Sequence, residues 1–177
     1  LSLSQNIDRL FFANEPHLRN EYAQLFRSVF SDPELMRSIV DLLGTRHRGF
    51  TRPEILAHVD KDDSGSLSEK LNALVESNFV EKYVPFGNSA RDVHYKLVDP
   101  FCWFYQHFVR DQKTVDPDFW THNQNAQRIV SWRGIAFEEV CLQHIRNIKR
   151  ALGIEGVVSA QSAWTVKGDD EVEGTPI

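Results

Sequence analysis

The chain has 177 residues, 41% of them hydrophobic, with a formal net charge of −5 at pH 7 and a pI of about 5.8. That supplies apolar material for one domain or two small ones, which excludes a wholly disordered chain. The acidic balance excludes a broadly basic nucleic-acid coat while leaving room for a local basic patch. No signal peptide and no apolar run long enough to span a bilayer is visible, so a cytoplasmic protein without membrane contact is expected. Cys102 and Cys141 lie far apart in apolar helical runs, and two buried thiols are expected there rather than a disulfide or a metal pair. The chain opens on Leu1 and Met36 is its one methionine, so a piece of a longer protein is expected.

Leu3, Ile7, Leu10 and Phe11 fit one short apolar helical face, and Asn14-Glu15-Pro16 breaks it. Leu18, Tyr22, Leu25, Phe26 and Val29 then repeat at helical spacing. Three capping boxes follow, at Ser31-Asp32-Pro33-Glu34, Thr51-Arg52-Pro53-Glu54 and Ser66-Leu67-Ser68-Glu69. In each, the hydroxyl can accept from the N–H three residues on, and the Glu can return the bond. Val80–Val84 and Val93–Leu97 alternate apolar and polar residues across a turn-rich connection, the pattern of a β-hairpin. Three helices and a hairpin make the winged variant of the helix-turn-helix, over residues 31–99, with Lys61–Gly65 as the turn between its second and third helices.

Asp99-Pro100 caps an aromatic helix with Phe101, Phe104, Tyr105 and Phe108 as its inner stripe, read as core. Residues 111–125 read as a linker in which Phe119 and Trp120 dock. A long helix is expected from about Gly134 to Leu152, with Gly153 as its C-cap. At 100° per residue Phe137, Cys141, His144, Ile145, Ile148 and Leu152 share its inner face. Glu138 then sits on the edge of that face and Glu139 points away. A carboxylate there needs a partner, a proton or a metal, unless it is a partly exposed Glu favoured by the helix N-terminus. Val157–Val166 is rich in β-formers, the pattern of a strand pair, and Asp169–Glu173 is acidic. The histidines show no zinc spacing, and there is no nucleophile-elbow motif.

The segments Gln5–Asp8, Phe50–Ile55, Tyr95–Phe101, Trp132–Cys141 and His144–Ile154 resemble the C-terminal half of archaeal-type AAA+/STAND P-loop ATPases, with Gly134-Ile135-Ala136-Phe137-Glu138 and Ile148–Ile154 as the most specific portions. The resemblance implies an ATPase domain ahead of this chain, a winged helix within it, and a PD-(D/E)XK nuclease-like region at its end. Residues 1–30 would then be a helical linker from the missing ATPase domain, 31–99 the winged helix, 100–125 the aromatic helix and linker, and 126–177 the truncated nuclease-like part. The fold class expected is mainly α with a small β component, a winged helix-turn-helix plus an incomplete α/β part.

The family's motif glutamate falls on Glu138, which would be catalytic and a Mg²⁺ ligand only in the complete parent. The chain has no G-x-x-x-x-G-K-[ST] motif, and the further carboxylates and lysine of a nuclease centre would lie beyond Ile177. No cofactor and no catalysis are therefore expected of this chain, with ATP and Mg²⁺ belonging to the parent. The expected function is nucleic-acid binding by the winged helix. Ser66, Ser68, Lys70 and Asn72 on the third helix and Arg46, Arg48, Arg52, Lys82, Arg91 and Lys96 around it are the candidate contacts to duplex DNA. Glu69 and Glu76 on the same helix oppose a phosphate backbone, which favours the alternative of a protein-interaction or regulatory module. The missing ATPase domain and a second copy of the chain are the other expected partners.

Overall fold

In the computed structural model, which describes residues 1–59, 66–112 and 116–158, the helix-start signals of the sequence largely become helices. In chain order these residues form α1 (Leu3–Phe11), α2 (Glu21–Val29), α3 (Pro33–Leu43), β1 (Phe50–Thr51), α4 (Arg52–Leu56), α5 (Leu67–Glu76), β2 (Val80–Tyr83), β3 (His94–Leu97), α6 (Pro100–Phe104), α7 (Phe119–Asn123), α8 (Gln127–Gln143) and α9 (Ile145–Ala151). One π-helical turn, Tyr105–Val109, continues α6. The described chain is mainly helical with a small β component, as expected, and that component is a three-stranded antiparallel sheet. It divides into two units, Phe26–Trp103 and Leu1–Leu25 with residues 104–158.

In the 26–103 unit, the Thr51 box forms as read: Thr51 Oγ1 takes the Glu54 N–H, and Glu54 takes the Thr51 N–H at 2.6 Å. The other two boxes differ. At α3 the cap is Asp32 rather than Ser31, and its carboxylate accepts from the Leu35 N–H at 3.4 Å. Pro33 holds the first helical position with its φ already set, which puts the preceding residue at the cap. At α5 Ser66 makes no side-chain cap bond. Its backbone is helical (φ −87°, ψ −14°) rather than extended, so Oγ is not carried over the free N–H groups.

The hairpin is β2 against β3, with Val80 opposite Leu97 and Tyr83 opposite His94. Phe50 and Thr51, which no strand pattern marked, add β1 on the other edge of β3, giving the order β1-β3-β2. Gly49 (φ +74°) makes this possible, because a Cβ there would run into the Tyr95 carbonyl. Asn78 (φ +58°) turns the chain from α5 into β2. Below the sheet, Ile39 and Val40 of α3, Ile55 of α4, and Leu67, Leu71 and Leu74 of α5 are withdrawn from water. Each such side chain contributes roughly 1.5–3 kcal/mol of burial. The turn expected at Lys61–Gly65 lies outside the described residues.

In the other unit, α1 opens with a capping box between Ser2 and Gln5. Phe12, Phe104, Phe108, Trp120 and Ile129 form an aromatic core, with Trp132 edge-on to Phe108 at 5.2 Å between ring centres. Phe104 and Phe108 are buried as read, Trp120 docks here as expected, and part of the expected linker is the short helix α7. Asp8 is buried in α1 and caps α7 from a distance. Its carboxylate accepts the Trp120 N–H at 2.7 Å, the Thr121 N–H at 3.0 Å and the Thr121 hydroxyl at 2.6 Å. Tyr22 stacks on Tyr105 at 4.2 Å and accepts from the Gln106 amide.

The long helix expected over residues 134–152 needs correcting in extent and in face. It starts seven residues earlier, at Gln127, and breaks at His144 into α8 and α9. Its inner side carries Ile129, Trp132 and Glu139, whereas Phe137 is 70% exposed and Leu152 67% exposed. Trp132 decides the orientation, because it packs against Phe104, Phe108 and Trp120. That turns Glu139 inward, where it is 8% exposed, and Glu138 outward. The strand pair expected from Val157 onward and the acidic Asp169–Glu173 run lie outside the described residues, apart from Val157 and Val158, which are exposed and not in a strand.

Candidate nucleic-acid interface

The ten residues proposed as nucleic-acid contacts fall in the 26–103 unit and differ sharply in what they already hold. Arg46 is anchored from below: its guanidinium bonds Glu54 at 2.8 Å and stacks 3.7 Å above the Phe50 ring. Partial burial pushes the Glu54 carboxyl up, but the Thr51 N–H, Arg46 and the Thr51 hydroxyl outweigh it and hold the group down at about 2. Arg46 and Glu54 thus lock the loop before β1 to the start of α4. Arg52 Nε donates to Ser68 Oγ at 3.0 Å, tying α4 to α5.

Lys70 reaches back to Asp32 at 2.7 Å, and that contact lowers the Asp32 pKa. Lys96 is buried on β3, pairs with Glu81 on β2 at 3.2 Å, and sits 5.8 Å over the Tyr83 ring. These four cations are therefore used inside the fold.

Arg48, Lys82 and Arg91 are different. All three are exposed, and among the described residues none of their side chains joins an ion pair. They belong to the hairpin end of the sheet. The Tyr83 hydroxyl donates to the Arg48 carbonyl at 2.7 Å, which brings the loop before β1 beside the end of β2. Arg91 lies in the hairpin connection, where its own N–H donates to Ser89 Oγ. Phe86, in the same connection, is 68% exposed.

The outer side of α5 presents Ser68, Glu69, Asn72 and Glu76, all exposed, while Ser66 stands half-buried at its start. That face holds two carboxylates and no uncommitted cation. Sequence patterns could not reveal which cations were spent, because Asp32 to Lys70 spans 38 positions.

Glu138 lies in the other unit, exposed on α8. Among the described residues no three His, Cys, Asp or Glu side chains converge into a set that could hold a metal ion. A Mg²⁺ centre needs several carboxylates, and Glu138 supplies one, so no chemical step follows from Glu138 alone. The cysteines form no disulfide: Cys102 is buried as expected, with its thiol pKa pushed up by burial and by Asp99, whereas Cys141, expected to be buried, is partly exposed. No described helix is long and apolar enough to cross a membrane.

Comparison with protein-family models, with curated proteins and with solved structures finds no match to this chain.

Proposed function

We propose that Phe26–Trp103 is a winged-helix module belonging to a larger P-loop ATPase, and that it works by contacting protein rather than by laying α5 into a DNA groove. The order α3, β1, α4, α5, β2, β3 with β3 central supports the winged-helix reading. The observation that carries the protein-contact reading is the outer side of α5, where Glu69 and Glu76 are exposed while Lys70, Arg52 and Arg46 are bonded elsewhere. A helix that tracks phosphates needs cations at its surface, and carboxylates there repel the backbone. The ATPase domain of the same polypeptide is the partner that the family resemblance suggests. On this reading the chain by itself carries no catalysis, and Glu138 acquires a metal only alongside carboxylates supplied by the rest of the parent.

A second reading is favoured by Arg48, Lys82 and Arg91: sequence-independent contact of the hairpin with duplex phosphates. One titration separates the two. The chain is titrated onto a fluorescent 30-base-pair duplex at about 50 mM salt, where even non-specific binders are retained. No binding is expected. Binding that weakens steeply with salt, and that disappears in Arg48→Ala, Lys82→Ala, Arg91→Ala, would sink the protein-contact reading and establish the hairpin as the DNA surface. In the full-length parent, Glu138→Gln is expected to abolish any Mg²⁺-dependent cleavage without unfolding the chain, and unchanged cleavage would remove Glu138 from the site.

A further inference from the structure

Helix α8 is packed on one side only, yet it is apolar on both. Its inner side is Ile129, Trp132, Ile135, Ala136, Glu139 and Leu142. Opposite them Val130 (47% exposed), Phe137 (70%) and Val140 (49%) stand in solvent beside Gly134 and the partly exposed Cys141. A helix with two apolar sides is built to be covered on both.

The exposed side has a definite repeat. With Gln127, Gly134 and Cys141 at the a positions of a heptad, Val130 and Phe137 fall at d, Ser131 and Glu138 at e, and Arg133 and Val140 at g. Every a, d, e and g residue is exposed, Cys141 partly so, and the b, c and f positions hold the inner side. The charges agree with the repeat. Arg133 at g and Glu138 at the following e stand in the spacing that joins g of one helix to e of its neighbour in a parallel pair. Among the described residues neither side chain has a hydrogen bond or an ion pair, and nothing would meet a Cβ at Gly134 within 4 Å, so a second helix can approach closely there.

We propose that α8 pairs in parallel, about a two-fold axis, with α8 of a second copy of this chain. Val130 and Phe137 form the seam, Gly134 allows close approach, and Arg133 of each copy pairs with Glu138 of the other. A second copy is the occupant because this helix carries both charges at the g-to-e spacing, which makes it complementary to a parallel copy of itself at both ends of the pair. The seam spans only about two heptads, so it is weak, with a dissociation constant on the order of tens of micromolar. This inference is independent of the winged-helix proposal and concerns the other unit.

Sedimentation equilibrium from ~1 to ~200 µM tests it, a range that brackets that affinity. A reversible dimer is expected. Phe137→Asp should weaken it at least about a hundredfold, with the thermal midpoint of the monomer unchanged because Phe137 is already exposed. Arg133→Glu or Glu138→Arg alone should weaken it about tenfold, and the two together should restore it. Geometry has its own readout, since a parallel pair sets Cys141 against Cys141. A short bismaleimide should couple the wild-type chains and the Cys102→Ser variant but not Cys141→Ser. A monomer across the whole range would overturn the proposal. So would a dimer indifferent to Phe137→Asp, or one that the double charge reversal fails to restore.

Discussion

Asp8 is the residue whose removal should be felt most in the unit that contains it. It sits 3% exposed in α1, and its two oxygens accept three hydrogen bonds, from the Trp120 and Thr121 N–H groups and the Thr121 hydroxyl. Those N–H groups belong to the first turn of α7, whose own cap residue, Asp118, makes no side-chain bond. Asp8→Ala leaves two helix N–H groups without an acceptor, one of them on the buried Trp120. A lost cap costs about 0.5–2 kcal/mol, and an orphaned buried donor about 1–3 kcal/mol. The sum is reduced because the carboxylate's own desolvation cost disappears with it. A net loss of about 3 kcal/mol follows, which at a urea slope of about 2 kcal/mol/M lowers the midpoint of this unit by roughly 1.5 M.

Two units need not unfold together, so the transition is best read at the site, from exchange protection of the Trp120 and Thr121 amides as urea rises. Asp8→Asn keeps one carbonyl acceptor and should lose about half as much. An Asp8→Ala loss below about 0.5 kcal/mol, or unchanged protection at Trp120, would refute the account of α7 as a helix capped from α1.

Glycine substitutions should separate clash from strain. Gly49→Ala meets the Tyr95 backbone as well as a positive φ and should cost more than about 3 kcal/mol in denaturant titration, whereas Gly153→Ala has the same hand of φ and open space, and should cost only about 1 kcal/mol. Glu54 predicts a pH dependence. Its folded pKa of about 2 lies below its ordinary 4.5, so its contribution is complete above pH 4.5 and is lost as pH falls toward 2. The side chain is 41% exposed, so screening by water limits that loss to about 1 kcal/mol, and Glu54→Gln should flatten the acid limb of a stability–pH curve by that amount. Of the thiols, Cys141 should be alkylated by iodoacetamide in the native protein at pH 8 and Cys102 should not, as mass spectrometry of the modified chain would show.

What was legible in the sequence is what is encoded within about ten residues. The Thr51 box, the alternation of β2 and β3 and the spacing of Leu67, Leu71 and Leu74 each specify their element through neighbouring bonds, and each is where the pattern put it. β1 escaped because two residues, Phe50 and Thr51, are too few to show a period, and its signal was instead the glycine before it. The candidate interface was legible as a set of cations and illegible as a surface. Whether Lys70 or Lys96 faces solvent depends on Asp32 and Glu81, which the fold brings to them from other elements.

Helix α8 shows the same limit from the other side. With apolar residues at Ile129, Trp132 and Leu142 and again at Val130, Phe137 and Cys141, periodicity offers two inner faces, and a wheel started at Gly134 sees chiefly the second. The energetic choice is made by Trp132, which meets three other aromatic rings of the unit, each such pair worth roughly 0.5–1.5 kcal/mol beyond its burial. Among the described residues Phe137, 70% exposed, meets no comparable set of rings. The face that loses this competition still carries the apolar residues and the Arg133–Glu138 spacing of an interface. An orientation that defeats the simplest reading of the helix is therefore the reason the helix has a side left to offer a partner.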